Sequence, residues 1–407
     1  MPANPGPAQD ADQTATSTAV PAQPTFEYHS PTTQFRTHGN KGWLAPWWHS
    51  DDLARSLTAL TKQAQGKFLV GALPFDTTQP PALFEPESIE ELHAPPAPGV
   101  GHAGVVEDED SNEERAQNFK QRTASALAAL NAPANPLEKI VLARLASWHT
   151  NSYQDFDAHD VFAQLCTQNP GTYRFKFTGI PQRYEVVNTA TATTGPAAPP
   201  ATLTGASPEL VLAVQGQELH THPLAGSLPA AVAQALAADG DQAVLDALYT
   251  PKNRAEHAHV TRDIATTLQR FCSFLEVPDT PDIVRTPTVW HLGTHIHGEV
   301  APDTNLLELL YALHPTPAVS GFPQQAAREF LAQRGVFDRG LFSGVIGWLD
   351  QRPGKPVRCE WAMTLRCGII QGPTAVAFAG AGIVSGSDPE EERQETTAKL
   401  TTFARAL

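Results

Sequence analysis

Two periodicities alternate along the chain. Residues 67–75, 139–148 and 173–177 are runs of apolar and β-branched positions with strand character. Residues 210–222 read as two strands around the turn Gln215–Gly216, and 341–349, 357–367 and 374–381 as three adjacent strands. Helical apolar spacing marks 118–130, 229–249 and 254–274. Residues 389–407 predict a final helix, with Asp388 as N-cap and Pro389 at the first helical position, where a missing N–H costs nothing. No repeat of fixed period stands out. The mixture predicts an α+β fold of long antiparallel strands with helices packed outside.

Polar stretches punctuate this pattern. Residues 1 to about 30 are rich in Pro, Ala, Thr and Gln and carry almost no large apolar side chain before Phe26. Such a segment buries too little to offset its ordering entropy and reads as a disordered tail ahead of one domain over 31–407. Residues 95–115, with the acidic run 107–110, read as a surface loop, and 188–200 as a flexible insertion between strands.

Composition narrows the function. With 407 residues, 41% of them hydrophobic, the chain can bury a large core. Its formal charge of −15, from 43 acidic against 28 basic residues, and its lack of any Lys/Arg-rich stretch argue against a nucleic-acid partner. A few placed cations would still suffice for a small anion. Cys166, Cys272, Cys359 and Cys367 are scattered without metal-binding spacing and read as reduced thiols. No signal peptide or membrane-length apolar run is present, so a soluble, cytoplasmic protein is expected.

Several polar residues sit where chemistry is possible. Glu392, Glu395 and Lys399 share one face of the final helix, a pattern equally suited to a solvated salt-bridged surface. Just before it, the glycines of FAGAGIV (378–384) allow close approach by a ligand or another element. Glu256 and His257 lie in KNRAEH (252–257), and a carboxylate from each helix could share a hard divalent cation. Glu209, in GASPE, projects from a strand start, where it is either an edge residue in water or a general acid. Lys139, at the mouth of an apolar strand, either snorkels to solvent or acts as a base. Arg366 is a surface cation or a fork for a carboxylate.

These segments, in this order, resemble the chorismate-utilising enzymes, most closely the isochorismate synthases. The resemblance runs from about Asn135 to the C-terminus. It rests on KIVLAR (139–144), GASPELVL (205–212), HPLAGS (222–227), KNRAEH (252–257), TPTVWHL (286–292) and HPTPAVSGFP (314–323). FDRGLFSGVIGW (337–348), TLRC (364–367), AGAGIV (379–384) and ERQETTAKL (392–400) complete it. It implies one large α+β domain, two packed antiparallel sheets surrounded by helices, with the site in a cleft.

The resemblance also implies roles. Lys139 is the base that activates water for attack on C2 of chorismate, and Glu209 protonates the departing C4 hydroxyl. Glu256 and Glu395 hold Mg²⁺, with Glu392 beside them. Arg366 and Lys399 take the enolpyruvyl carboxylate, backbone amides at Gly226, Gly380 and Gly382 complete the anion contacts with Ser227 nearby, and His291 lines the pocket. Relatives that make aminodeoxychorismate carry a lysine where this chain has Ala225, and anthranilate synthases lack the base lysine. Water is therefore the implied nucleophile. That selects isochorismate synthase, with salicylate synthase as the alternative; the latter usually carries Thr where this chain has Ser227. Leu228-Pro229 replace a basic residue common in relatives. A silent chorismate-binding homologue is the remaining reading. The family implies a small-molecule substrate and a monomer, and the lack of a membrane-length apolar run gives no reason to expect a membrane partner.

Overall fold

The strand Lys139–Thr150 is buried along nearly its whole length, and a sheet is built outward from it. The computed structural model describes residues 24–407 apart from 45–46, 100, 103, 152–153, 185–198, 239 and 335–336. On one side Lys139–Thr150 pairs with Thr374–Ile383, with Ile383 opposite Ile140. The sheet continues through Cys367–Gln371, Thr202–Ser207, Tyr173–Thr178, Thr25–His29, Gln34–His38 and Ser88–Glu91. A second sheet runs from Cys272–Glu276 through Ile296–Val300, Glu218–His222, Leu210–Gln215, Arg358–Met363, Val345–Asp350 and Phe68–Leu73 to Ala82–Phe84. A small third sheet joins Leu224–Pro229, Val289–Gly293 and Asp282–Arg285.

The two large sheets pack face to face over an aromatic core. Phe35 from the first meets Phe68 and Trp348 from the second edge-on, with ring centroids 5.6 and 6.2 Å apart, the geometry aromatic quadrupoles favour. Helices cover the outer faces. Pro251–Leu268 and Leu306–Leu313 pack against the second sheet, and Glu109–Leu130 and Pro389–Ala404 against the first. This is the expected α+β arrangement.

Five local expectations change. The sheet begins at Thr25–His29, inside the stretch assigned to a tail, because Phe26 and Tyr28 alternate into the core and are fully buried; residues 1–23 and most of the 188–200 segment lie outside the described residues. The acidic run is not a loop: Glu109 and Asp110 form the first turn of Glu109–Leu130, where negative charge complements the helix dipole. The helical stretch 229–249 is two helices, Ala230–Ala237 and Asp241–Leu248, broken at Gly240 with φ +104°. The next helix spans Pro251–Leu268, and Cys272–Glu276 is a strand, because the edge strand Ile296–Val300 offers it backbone partners.

The fifth change matters most for function. Residues 341–381 do not form three neighbouring strands. Val345–Asp350 and Arg358–Met363 pair in the second sheet, whereas Cys367–Gln371 and Thr374–Ile383 pair in the first. The chain crosses between sheets at Thr364–Arg366, with Arg366 in the left-handed region at φ +49°. A second crossing lies beside it: Thr202–Ser207 belongs to the first sheet and Leu210–Gln215 to the second, with Pro208 and Glu209 between. The crossings are stitched together by Met363 N–H donating to Glu209 O at 3.0 Å and Ala206 N–H to Arg366 O at 3.2 Å.

Candidate active site

These crossings carry Glu209 and Arg366 to one pocket, about 610 Å³ of space including its open side. Its wall also contains Gly226, Ser227 and His291 from the third sheet, Glu256 from Pro251–Leu268, and Gly380, Gly382 and Lys399 from the C-terminal strand and helix. Nine of the twelve candidate residues therefore line one cavity. Of the other three, Lys139 and Glu395 are joined to it through ion pairs with Glu256 and Lys399, and Glu392 pairs with Lys252, which is not part of the wall.

Lys139 is fully buried. Its Nζ lies 3.2 Å from Glu256 Oε1 but has no hydrogen-bond partner among the described residues. A buried, incompletely satisfied polar atom calls for a reason, and catalysis is one. Gly382 makes the approach possible. A Cβ there would strike the Glu256 carboxylate and sit 3.0 Å from Lys139 Cε.

Glu209 is 3% exposed. Burial pushes its carboxyl up to about 7, against the opposing pull of a Leu224 backbone hydrogen bond and the charges of Lys139, Arg366 and Lys399. Near neutrality a large fraction is therefore protonated and able to donate.

Arg366 and His291 form a buried relay. Arg366 Nη2 donates to His291 Nε2 at 2.9 Å. Nδ1 therefore carries the imidazole proton, 3.1 Å from Ser227 Oγ. Burial, then the Arg366 and Lys399 charges, hold His291 well below its ordinary value. It is a neutral ring that aims the guanidinium. Burial likewise lowers Arg366, to about 10, while the Glu395 and Glu209 charges oppose that shift.

Each of the three remaining carboxylates is matched with a lysine: Glu256 with Lys139, Glu392 with Lys252 at 2.5 Å, and Glu395 with Lys399 at 2.5 Å. Lys399 also donates to Gly380 O at 2.9 Å. Burial, then repulsion from Glu395, raises Glu392. Burial would raise Glu395 too, but Lys399 outweighs it and holds Glu395 below the usual carboxylate range. Burial opposes the Lys252 ammonium, yet Glu392, Glu395 and Glu256 together favour it. All three carboxylates thus act on one small region, and their oxygens suit a hard cation such as Mg²⁺. Among the described residues no three such side chains already converge to hold a metal.

Lys252 was not among the candidates, since nothing in its spacing distinguishes it from a surface lysine. Ser343, in the pocket wall with φ +60°, was also missed, because a strained φ leaves no mark on composition. His257, considered beside Glu256, faces elsewhere, with Nε2 2.7 Å from Thr294 Oγ1.

Comparison with known proteins agrees with this geometry. The chorismate binding enzyme family matches residues 197–407. The chain is 33% identical over 366 residues to isochorismate synthase DhbC of Bacillus subtilis, covering 88% of this chain and 85% of that one. It is 35% identical over 342 residues to isochorismate synthase EntC of Escherichia coli, covering 82% and 80%. The solved structure of DhbC from Bacillus anthracis superposes with a TM-score of 0.75 at 30% identity, over 94% of this chain and 96% of that one.

Proposed function

The chain belongs to the isochorismate synthases of the chorismate binding enzyme family, and from that premise we propose how its own residues turn chorismate into isochorismate. Lys139 Nζ takes a proton from water as the oxygen bonds to C2. The ring double bonds shift, the C4–O bond breaks, and Glu209 gives its proton to the departing hydroxyl, which leaves as water. Oxygen and proton counts balance, so the net change is an isomerisation. The observation that carries the reading is a wholly buried lysine and a buried carboxyl raised to about 7 at the same pocket. One group is placed to accept a proton and the other to supply one.

Substrate charge is met by fixed cations. Arg366, held by His291, and Lys399 take the enolpyruvyl carboxylate, with the backbone at Gly226, Gly380 and Gly382 closing around it. Glu256 and Glu395, with Glu392 beside them, would hold Mg²⁺. When bound, the cation supplies positive charge that orients and offsets the ring carboxylate. Ala225, in the pocket wall, carries no nucleophile, which leaves water to attack. We read the enzyme as a cytoplasmic monomer, with the menaquinone and siderophore routes both open to its product. Among the described residues no helix is long and apolar enough to cross a membrane.

Incubation of the purified chain with chorismate and Mg²⁺, followed by chromatography, tests the reading. Isochorismate alone is expected. Salicylate with pyruvate would replace it by salicylate synthase, and binding without turnover by a silent homologue.

Two substitutions probe the binding groups. Arg366→Gln removes a charge-assisted contact, so KM for chorismate should rise about 10- to 100-fold. An unchanged KM in steady-state kinetics would contradict the carboxylate role. Glu395→Gln removes one anionic ligand, and the Mg²⁺ concentration for half-maximal rate should rise about tenfold or more. A titration indistinguishable from the parent enzyme would exclude Glu395 as a ligand.

A further inference from the structure

A second cavity lies behind the wall of the first. It encloses about 1200 Å³ including its open mouth, and its lining combines Phe75, Leu142 and Phe337 with Arg122, Arg328 and Arg339. Neighbouring residues of the strand Lys139–Thr150 serve both: Val141 lines the first pocket, and Leu142 and Ala143 line the second. Phe337 of the second cavity stacks on Phe378 of the first, with centroids 6.1 Å apart.

Among the described residues, Arg339, which is buried, and Arg122, which is partly buried, lack the carboxylate partners that buried arginines usually have. Arg339, 7% exposed, donates to Val319 O at 2.7 Å and Val141 O at 2.6 Å, and lies 4.3 Å from the centroid of Phe75. That clamp gives Arg339 a structural task. Arg122 is different: Nη2 donates to Ala143 O at 3.0 Å, but Nε is buried with no hydrogen-bond partner. Arg328 is exposed at the same cavity. Among the described residues none of the three is in an ion pair. Burial, then the Arg122 charge, pulls Arg339 down to about 9, and burial lowers Arg122. Two cations repel here with no anion between them.

The acidic side chains at this cavity, Asp76 and Asp338, are exposed and already occupied. Asp76 accepts from Thr78 N–H and Oγ1, at 2.9 and 2.7 Å. Asp338 accepts from Gln79 Nε2 and Gly340 N–H, each at 2.9 Å. The charge shortfall remains, next to an apolar aromatic wall.

We propose that this cavity binds a small aryl carboxylate, with its carboxylate on Arg122 and Arg328 and its ring against Phe75 and Phe337. A guanidinium fork matches a planar carboxylate, and a concave apolar wall with a few convergent polar groups is the usual form of a small-molecule site. The assignment does not depend on the chemistry of the first pocket.

Titration calorimetry on the full chain tests it, with benzoate as probe and benzyl alcohol and inorganic phosphate as controls. Because the first pocket also presents cations, the binding scored is that which survives Arg366→Gln. Benzoate should saturate one such site, bind at least about tenfold more weakly to Arg122→Gln and Arg328→Gln, and outbind both controls by a similar factor. Arg328 is exposed, so Arg328→Gln should unfold at the parent temperature and keep the test decisive if Arg122→Gln fails to fold. Absence of saturable benzoate binding overturns the site, as does its loss in Arg366→Gln or its retention in Arg328→Gln. Phosphate binding as tightly as benzoate would overturn the ligand class.

Discussion

Lys139→Ala is expected to lower kcat for isochorismate formation by about 10²–10⁴-fold, the usual range for a lost general base, while chorismate affinity changes by less than about tenfold. The split follows from position. Lys139 lies behind the pocket wall, fully buried and 3.2 Å from Glu256, whereas Arg366 and Lys399 line the cavity itself. The substitution opens space beside a carboxylate that loses its lysine partner, so thermal unfolding should show some destabilisation. A purely structural lysine would produce that loss too, and a rescue experiment separates the two. Methylamine should enter the vacated space and restore part of kcat with a dependence on free-base concentration, without restoring the unfolding temperature. Turnover within tenfold of the parent enzyme would remove Lys139 from the reaction.

The parts of this site differ in how far they could be read from residues alone. The helix 389–404 and its cap were legible, because Asp388 and Pro389 are local signals: Asp388 Oδ1 accepts from Glu390 and Glu391 N–H. The face shared by Glu392, Glu395 and Lys399 followed from helical geometry, but its burial did not. Glu392 is 1% exposed, where spacing equally suited a solvated face. Glu209 and Arg366 were recognisable only by resemblance. Their positions depend on the chain crossing between sheets, and a stretch such as 357–367 keeps strand-like character across the crossing because both sheets take up its apolar residues. Nothing local marks the change of partner strand. Thr25–His29 was lost for the opposite reason: a short strand with two inward aromatics was outweighed by the polar residues before it. Lys252 and the arginines of the second cavity belong to the same class. Their meaning comes from neighbours distant in sequence, as with Arg339 on Val141 and Val319.

Glu209→Gln should lower kcat about 10²–10⁴-fold and at the same time stabilise the protein at alkaline pH. The amide keeps the size of the side chain but cannot donate an acidic proton to the leaving hydroxyl. In the parent enzyme the acid must be protonated, so kcat should fall as pH rises through about 7, the value to which burial lifts this carboxyl. The same shift acts on stability. Between the ordinary 4.5 and about 7, the folded chain binds a proton that the unfolded chain releases, so the parent loses stability as pH rises across that window. Fully developed above it, the penalty is of the order of 3 kcal/mol. Glu209→Gln escapes that penalty: its unfolding temperature should exceed the parent's at pH 8 and approach it at pH 4.5. A residue kept for catalysis at a cost in stability gives this crossed pattern. An unfolding temperature unchanged at pH 8, or a kcat that does not fall between pH 6 and pH 8, would show that Glu209 is not the proton donor.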